Sequence, residues 1–227
     1  MRALIASGAG RYSDPWHDLA RTSAALQRIL VEAGFETRVV HDLDAALAAL
    51  EEVDLLVVNA TDPWRNGETG KGASPAGTAG LEAAVERGIG VLCVHNAISS
   101  LRDYPLWRRL VGGDWIPGVS GHPPRGLLEV RMTRTVPGVP AAFTLLDEGY
   151  TFLEVDPDVQ IAAEHLLDGR SHPLFWTRTA GRTRVVYDAL GHDAASYRSP
   201  AHVALLSRAV EWAAAPSSGA SPASGSW

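Results

Sequence analysis

Eight His and seven Trp stand beside only two Met and four Phe in this chain. That mix suggests a polar, aromatic-lined site more than a plain aliphatic one. His95 is the sharpest single residue. It follows the apolar run 90–94 and precedes Asn96 and Ala97, the place where a strand-to-helix elbow presents a reactive group in many α/β enzymes. Its imidazole suits acid/base work or metal ligation. The competing reading, a core histidine bonded to a loop, is weakened by that position. His192 lies in Gly191-His192-Asp193, after the run 185–190. Glycine permits a tight turn there, which would face His192 to the same edge as His95. The alternative is a turn whose Asp193 caps the next segment. His122 sits in a Ser-Gly-His-Pro-Pro loop and leans functional. His17, just before a helix, divides evenly between structural contact and site. His41, His165 and His202 read as surface or packing residues, and His172 is undecided.

The polar residues just past each strand are the wider candidate set, because open α/β sheets bind ligands outside the carboxyl ends of their strands. After the first strand come Tyr12, Asp14, Trp16 and His17; after the third, Asn59, Thr61, Asp62 and Trp64. After the fourth come His95 and Asn96, and after the last His192 and Asp193. His122, Glu148 and Tyr150 lie in loops that can fold over that edge. Three or more His with a Glu could hold zinc; the expected set is His95, His122 and His192, although no HxH or HxxxH spacing supports it. Cys93 lies inside an apolar strand and reads as a buried small hydrophobe. Lys71 sits in a Gly-rich stretch but lacks the spacing of a phosphate loop, so that reading is rejected.

These residues need a scaffold, and the pattern supplies one. Short apolar runs at 3–7, 35–40, 54–59 and 90–94 read as strands. Between them, 18–33, 44–50 (with Asp44 as its N-cap) and 78–87 read as helices. From 126 onward the strands 127–132, 143–146, 159–165, 173–177 and 183–187 succeed one another, the last two around a hairpin turn at 180–182. A final helix over 199–214 starts at Ser199-Pro200. Alternation of strand and helix predicts a mostly parallel sheet with helices on both faces, a three-layer sandwich. The second half adds strands to one sheet edge. Residues 1–215 form one domain, and 216–227 read as a flexible Ser/Gly/Ala/Pro tail.

Composition narrows the class. The chain has 227 residues, 46% hydrophobic and 20% charged, with a net charge of −6. That is ordinary globular composition. The acidic balance argues against a nucleic-acid partner, which would usually require a basic excess. One Cys allows no internal disulfide. No stretch approaches a signal-peptide core or a spanning helix, so a cytoplasmic protein without a membrane partner is the expectation. A homodimer is a general prior.

Together these stretches resemble the ThuA-like (trehalose-utilisation) family, over about residues 2–214. The resemblance rests on Glu86-Arg87-Gly88 running into Gly90-Val91-Leu92-Cys93-Val94-His95, on Tyr104 through Val111-Gly112-Gly113, on His122, and on Asp147-Glu148-Gly149-Tyr150. Its strongest part is Pro173-Leu174-Phe175-Trp176-Thr177-Arg178, Gly181 to Tyr187, Leu190-Gly191-His192-Asp193 and Glu211-Trp212-Ala213. The resemblance implies a flavodoxin-like core of the class I glutamine amidotransferase-like kind, with His95 where amidotransferases carry their catalytic Cys. Glutaminase chemistry is therefore not expected. It also implies a role in carbohydrate utilisation. In that reading His95 and His192 do acid/base work and Glu148 orients them or accepts a proton. Trp16, Trp64 and Trp176 stack on a sugar ring. His17, Asn59, Asn96, His122, Tyr150 and Asp193 bind its hydroxyls. A non-catalytic sugar-binding or regulatory protein, or a zinc hydrolase on the same His cluster, are the alternatives. The chain departs from the family at Thr135-Val136-Pro137, where a His-Pro is expected, and in the Gly-rich segment 59–77, which reads as a lid.

Overall fold

The structure, a computed structural model, describes residues 1–65, 67 and 72–215. The tail 216–227, Lys71 and the rest of 68–71 in the expected lid lie outside the described residues. Within them the alternation of strand and helix holds. The first half runs β1 (Arg2–Ser7), α1 (Leu19–Glu32), β2 (Glu36–Val40), α2 (Leu43–Ala48), β3 (Leu55–Asn59), α3 (Pro75–Arg87) and β4 (Gly90–Val94). A 3-10 turn, His95–Ser99, leads to α4 (Pro105–Val111) and β5 (Gly113–Asp114). The second half adds β6 (Gly126–Met132), β7 (Ala142–Asp147), β8 (Glu154–Val155), β9 (Gln160–Leu167), β10 (Arg170–Ala180), β11 (Thr183–Asp188) and α5 (Pro200–Ala214).

One sheet carries the order β2-β1-β3-β4-β11-β10-β9-β6-β7. The first five of these pair in parallel, and that order is the flavodoxin-like one, with β11 in fifth place. β10, β9, β6 and β7 extend the sheet antiparallel from β11. β5 and β8 form a separate small ribbon. β3 and β4 are buried at every position, as strands covered on both faces must be. Right-handed crossovers place α2 and α3 on the face opposite α1. α2 packs on α3, and α1 packs on α5.

Strand β10 runs three residues past the expected 173–177 at each end, and two helix starts also differ from expectation. α3 begins at Pro75, three residues before 78, with Ser74 as cap accepting from Gly77 N at 2.9 Å. Gly77 and Gly80 hid this start. They are there because a Cβ would strike Tyr104 and Ser74 at the first and the α2 backbone at the second, so glycine marks close helix packing and not a loop. The cap of α2 is Asp42, which accepts from Ala45 N, and not Asp44. Asp44 instead receives the Arg11 guanidinium and the phenols of Tyr12 and Tyr104.

The second half is bent back over the first. β10 shifts register against β9 at Pro173/Phe175 and Phe175/Trp176, and such bulges bend a strand. The end of β7 reaches the loop after β11, where Gly191 N donates to Asp147 Oδ2 at 2.8 Å.

Candidate functional site

Four strand ends and one folded-back turn meet in a single cavity of about 810 Å³. The loops after β1, β3 and β4 give Trp16 and His17, Asp62 and Trp64, and Asn96; the loop after β11 gives His192; the turn after β7 gives Glu148 and Tyr150. Trp115, Arg65 and Arg102 complete the wall. Trp16 and Trp64 present exposed faces, and Trp115 packs edge-on against Tyr150 at 4.8 Å.

His95 lies directly beneath the cavity, packed against His17, Glu148, Tyr150 and His192 of its lining. It is 2% exposed and adopts φ +50°, a left-handed conformation that costs a non-glycine residue of order 1–3 kcal/mol and clusters at functional sites. The turn this creates at the end of β4 is what aims the ring out of the sheet. Its Nδ1 lies 2.7 Å from the carbonyl oxygen of Ala189. A carbonyl can only accept, so Nδ1 carries the proton. Nε2 lies 2.9 Å from the Tyr150 hydroxyl oxygen and faces Glu148. The Tyr187 phenol donates to the His95 carbonyl.

Glu148 is the centre of charge. Its Oε2 stands 3.3 Å from His192 Nδ1, 3.5 Å from His95 Nε2 and 3.6 Å from His122 Nε2. Burial works to raise the Glu148 pKa, but the His192 and His95 contacts outweigh it and hold the carboxyl well below the usual range. The same carboxylate raises the His192 imidazole against the opposing effect of burial. Tyr150 is pushed well up by burial and by Glu148 and Asp147, so it stays a phenol and a donor.

His17 joins this cluster from the far side. Its ring lies 5.1 Å from that of His95 and 4.9 Å from that of His192. Nδ1 is held by both oxygens of Asp14, at 2.8 and 2.9 Å. Asp14 is fixed in turn by the backbone N–H groups of Trp16 and His17. Burial lowers the His17 pKa; Asp14 opposes this, and the neighbouring imidazoles add to the lowering.

The structure therefore gathers His95, His192, Glu148, His17, Tyr150, Asn96, His122, Trp16 and Trp64 around one cavity, and it removes three expected residues from it. Trp176 is fully buried in the core, donating from Nε1 to Val111 O and packing on Tyr187. Asn59 is the last residue of β3, and its amide bonds Thr22 and Ser23 of α1. Asp193 pairs with Arg125 at 2.6 Å and caps Ala195 N. Among the described residues, His17, His95, Glu148 and His192 hold possible ligating atoms within 4.8 Å of one another; His122 lies outside this set, with its Nδ1 facing the Pro123 carbonyl. Cys93 is buried inside β4, as expected, and burial raises its thiol pKa. His165 packs behind the site, bonding the Tyr150 carbonyl at 2.8 Å.

Four contributors, Asp147, Trp115, Arg65 and Arg102, went unread in the sequence and had no signal there. Asp14 was among the residues past the first strand, but its hold on His17, signalled by the Asp-x-x-His spacing of an Asx turn, was not read. Arg102 ties Asp62, Asp114 and the Trp115 carbonyl together beneath the wall.

Gly191 has φ +107°, and a Cβ there would overlap the Tyr197 hydroxyl. Gly191→Ala is expected to destabilise the protein by about 1–3 kcal/mol through backbone strain and to displace His192. Urea denaturation checks the first effect; a loss below about 0.5 kcal/mol, the ordinary range of harmless surface changes, would refute it.

A flavodoxin-like sheet with a left-handed histidine at the elbow after β4 defines an α/β protein whose elbow residue is not a thiol. The chain belongs to the ThuA family, described as trehalose utilisation, whose model matches residues 2–213. It resembles a ThuA-like protein from Parabacteroides merdae, at 19% identity and TM-score 0.77, over 94% of this chain and 89% of that one. A second ThuA-like protein, from Bacteroides uniformis, matches at 16% identity and TM-score 0.72, over 93% and 90%. A cytoplasmic protein from Salmonella typhimurium matches at 11% and 0.62, over 93% and 98%. No curated protein matches the sequence. No helix among the described residues is long and apolar enough to cross a membrane.

Proposed function

We propose that the protein is an enzyme of carbohydrate utilisation that transfers protons on a sugar or oxidised sugar held in the cavity. The observation that carries this reading is the convergence of three imidazoles on Glu148 Oε2 at 3.3–3.6 Å. A protein that merely holds a sugar needs aromatic walls but has no use for a buried set of acid and base groups. Trp16, Trp64 and Trp115 offer faces for the apolar side of a pyranose ring, and Asn96, Asp62 and Arg65 offer partners for its hydroxyls. The cavity volume is within the range of small-molecule sites.

His95 is the base in this reading, because its Nδ1 is already committed to the Ala189 carbonyl and its Nε2 faces the cavity cluster. Glu148 keeps the transferred proton on the imidazoles by stabilising their charged form, and His192 returns it. Isomerisation, hydration and hydrolysis all need such a pair of positioned proton carriers. Cys-nucleophile amidotransfer lacks a residue, since the chain's one cysteine lies inside β4.

The test is a panel of sugars and their 3-keto derivatives, assayed with the wild type, His95→Ala and Glu148→Gln. Turnover of one member of the panel is expected, with each variant slower by roughly 10²–10⁴-fold. Unchanged turnover in both variants would remove this cluster from the chemistry. Sugar binding without conversion of any member would favour the non-catalytic, regulatory reading.

A further inference from the structure

We propose that His17, His95, His192 and Glu148 form a site for one divalent transition-metal ion, zinc foremost, at the cavity floor. The inference deepens the reading above, resting on the same site, but it does not depend on turnover. Three imidazoles and a carboxylate place their ligating atoms within 4.8 Å of one another. Metal–ligand bonds of roughly 2.0–2.2 Å set tetrahedral ligand atoms about 3.3 Å apart. Glu148 Oε2 already stands 3.3 and 3.5 Å from His192 Nδ1 and His95 Nε2, so small side-chain shifts close the set.

Orientation is the stronger argument. A metal-binding histidine typically gives its other ring nitrogen to a carboxylate or a backbone carbonyl, which fixes the tautomer and aims the free nitrogen at the ion. Two of the three histidines are built this way. His17 Nδ1 is held by the Asp14 carboxylate at 2.8 Å, and the two side chains are only 7% and 1% exposed. His95 Nδ1 is held by the Ala189 carbonyl at 2.7 Å. Among the described residues Asp14 bonds no side chain but His17, and it receives two backbone N–H groups of its own loop, so its position is set before His17 binds anything.

The remaining nitrogens are the third observation. Among the described residues, buried His17 Nε2 has no hydrogen-bond partner, and His192 Nδ1, at ion-pair distance from Glu148, completes no hydrogen bond either. A buried polar atom left without a partner is destabilising. Two such atoms facing one carboxylate are what an apolar or purely structural cluster avoids, and what a cation would satisfy at once. His95 Nε2 lies against the Tyr150 hydroxyl; ion binding replaces that contact and leaves the phenol beside the site. The donor set, imidazole nitrogen with one carboxylate, suits zinc, iron or nickel better than magnesium or calcium, which prefer all-oxygen sites.

The full chain, stripped with chelator, is titrated with ZnCl₂ and CoCl₂ and monitored by calorimetry and by cobalt visible absorption. One ion per chain is expected. His17→Ala and Glu148→Gln should abolish it. Asp14→Asn, which keeps the size of the orienting side chain, should weaken it roughly 10–100-fold. His122→Ala and Tyr150→Phe should bind at least as tightly as the wild type and serve as folded controls alongside thermal melts. No uptake by the wild type, or uptake that His17→Ala and Glu148→Gln leave unchanged, overturns the proposal. The sugar panel is run on chelated and reloaded protein. Conversion without any metal uptake refutes the metal site and leaves acid/base catalysis by the free imidazoles. Stoichiometric uptake that shows the stated variant pattern, with no sugar converted, supports the metal site and refutes the sugar reading.

Discussion

Replacing Asp188 by alanine is expected to cost about 3–5 kcal/mol of stability, the range for breaking a buried ion pair from one side. Asp188 and His202 are both fully buried. Asp188 Oδ2 lies 2.7 Å from His202 Nε2, and Asp188 Oδ1 accepts from Leu190 N at 3.0 Å. The other imidazole nitrogen, Nδ1, faces the carbonyl and hydroxyl oxygens of Ser196 at 3.2 and 3.0 Å. With acceptors at both ends the ring is held as the cation. Burial opposes that charge, but Asp188 prevails and the His202 pKa is raised. A group whose folded pKa exceeds its unfolded value, about 6.5 for His, stabilises fully below that value and loses the contribution as pH rises through the raised one. Wild-type stability should therefore carry a decreasing component on the alkaline side of pH 6.5, and Asp188→Ala should be less stable and lack it. Urea midpoints at several pH values, for both proteins, decide the matter. Equal pH slopes would show that the pair does not titrate in this way; equal midpoints would show that it contributes nothing.

Asp147→Ala is expected to have an effect of similar size and a more local signature. Asp147 is buried and accepts three backbone N–H groups: Glu148 at 2.8 Å, Gly191 at 2.8 Å and His192 at 3.2 Å. Hydrogen bonds to a charged acceptor contribute roughly 1.5–3 kcal/mol each, and the donors left behind would be desolvated without partners. A loss of about 3–5 kcal/mol is the expected total, since the bonds share one acceptor and are not additive. Because the residue joins the turn that carries Glu148 to the loop that carries His192, the amides of Gly191 and His192 should lose hydrogen-exchange protection before the rest of the sheet. Asp147→Asn, retaining one acceptor oxygen, should fall between. A loss below about 1 kcal/mol, or uniform exchange across the sheet, would mean that the loops are held by other contacts.

These two residues also mark where sequence stops being legible. The runs at β3 and β4 identified themselves because a doubly covered strand is apolar at every position, and the rule of strand ends then located His95, His192, Asn96 and Trp64. Ser199-Pro200 marked the last helix by its capping chemistry. Direction within a strand was not legible. Asn59 ends a strand at the right edge, yet its amide points to α1. Trp176 lies in β10 next to a register shift, where alternation no longer says which face a side chain takes, and it points into the core. Asp147 looked like part of a turn. Its role depends on a partner more than forty residues away, brought close only by the bend in the second half. His17 was undecidable until its neighbours were known, because the same Asp-x-x-His turn occurs with or without a ligand beyond it.

The insertion of the last strand beside β4 has a consequence for the order in which the protein is made. His95 is set by a carbonyl 94 residues later in the chain, and its partners Glu148 and His192 come from the turn after β7 and the loop after β11. On the ribosome the first four strands can pair while β4 still has a bare apolar edge, the kind of edge that recruits foreign strands. That edge closes only when β11 emerges, and nonlocal closure of this sort is slow. The interval between the synthesis of β4 and that of β11 is thus the aggregation-prone stage of this chain's life, and whatever the site does begins only after it has passed.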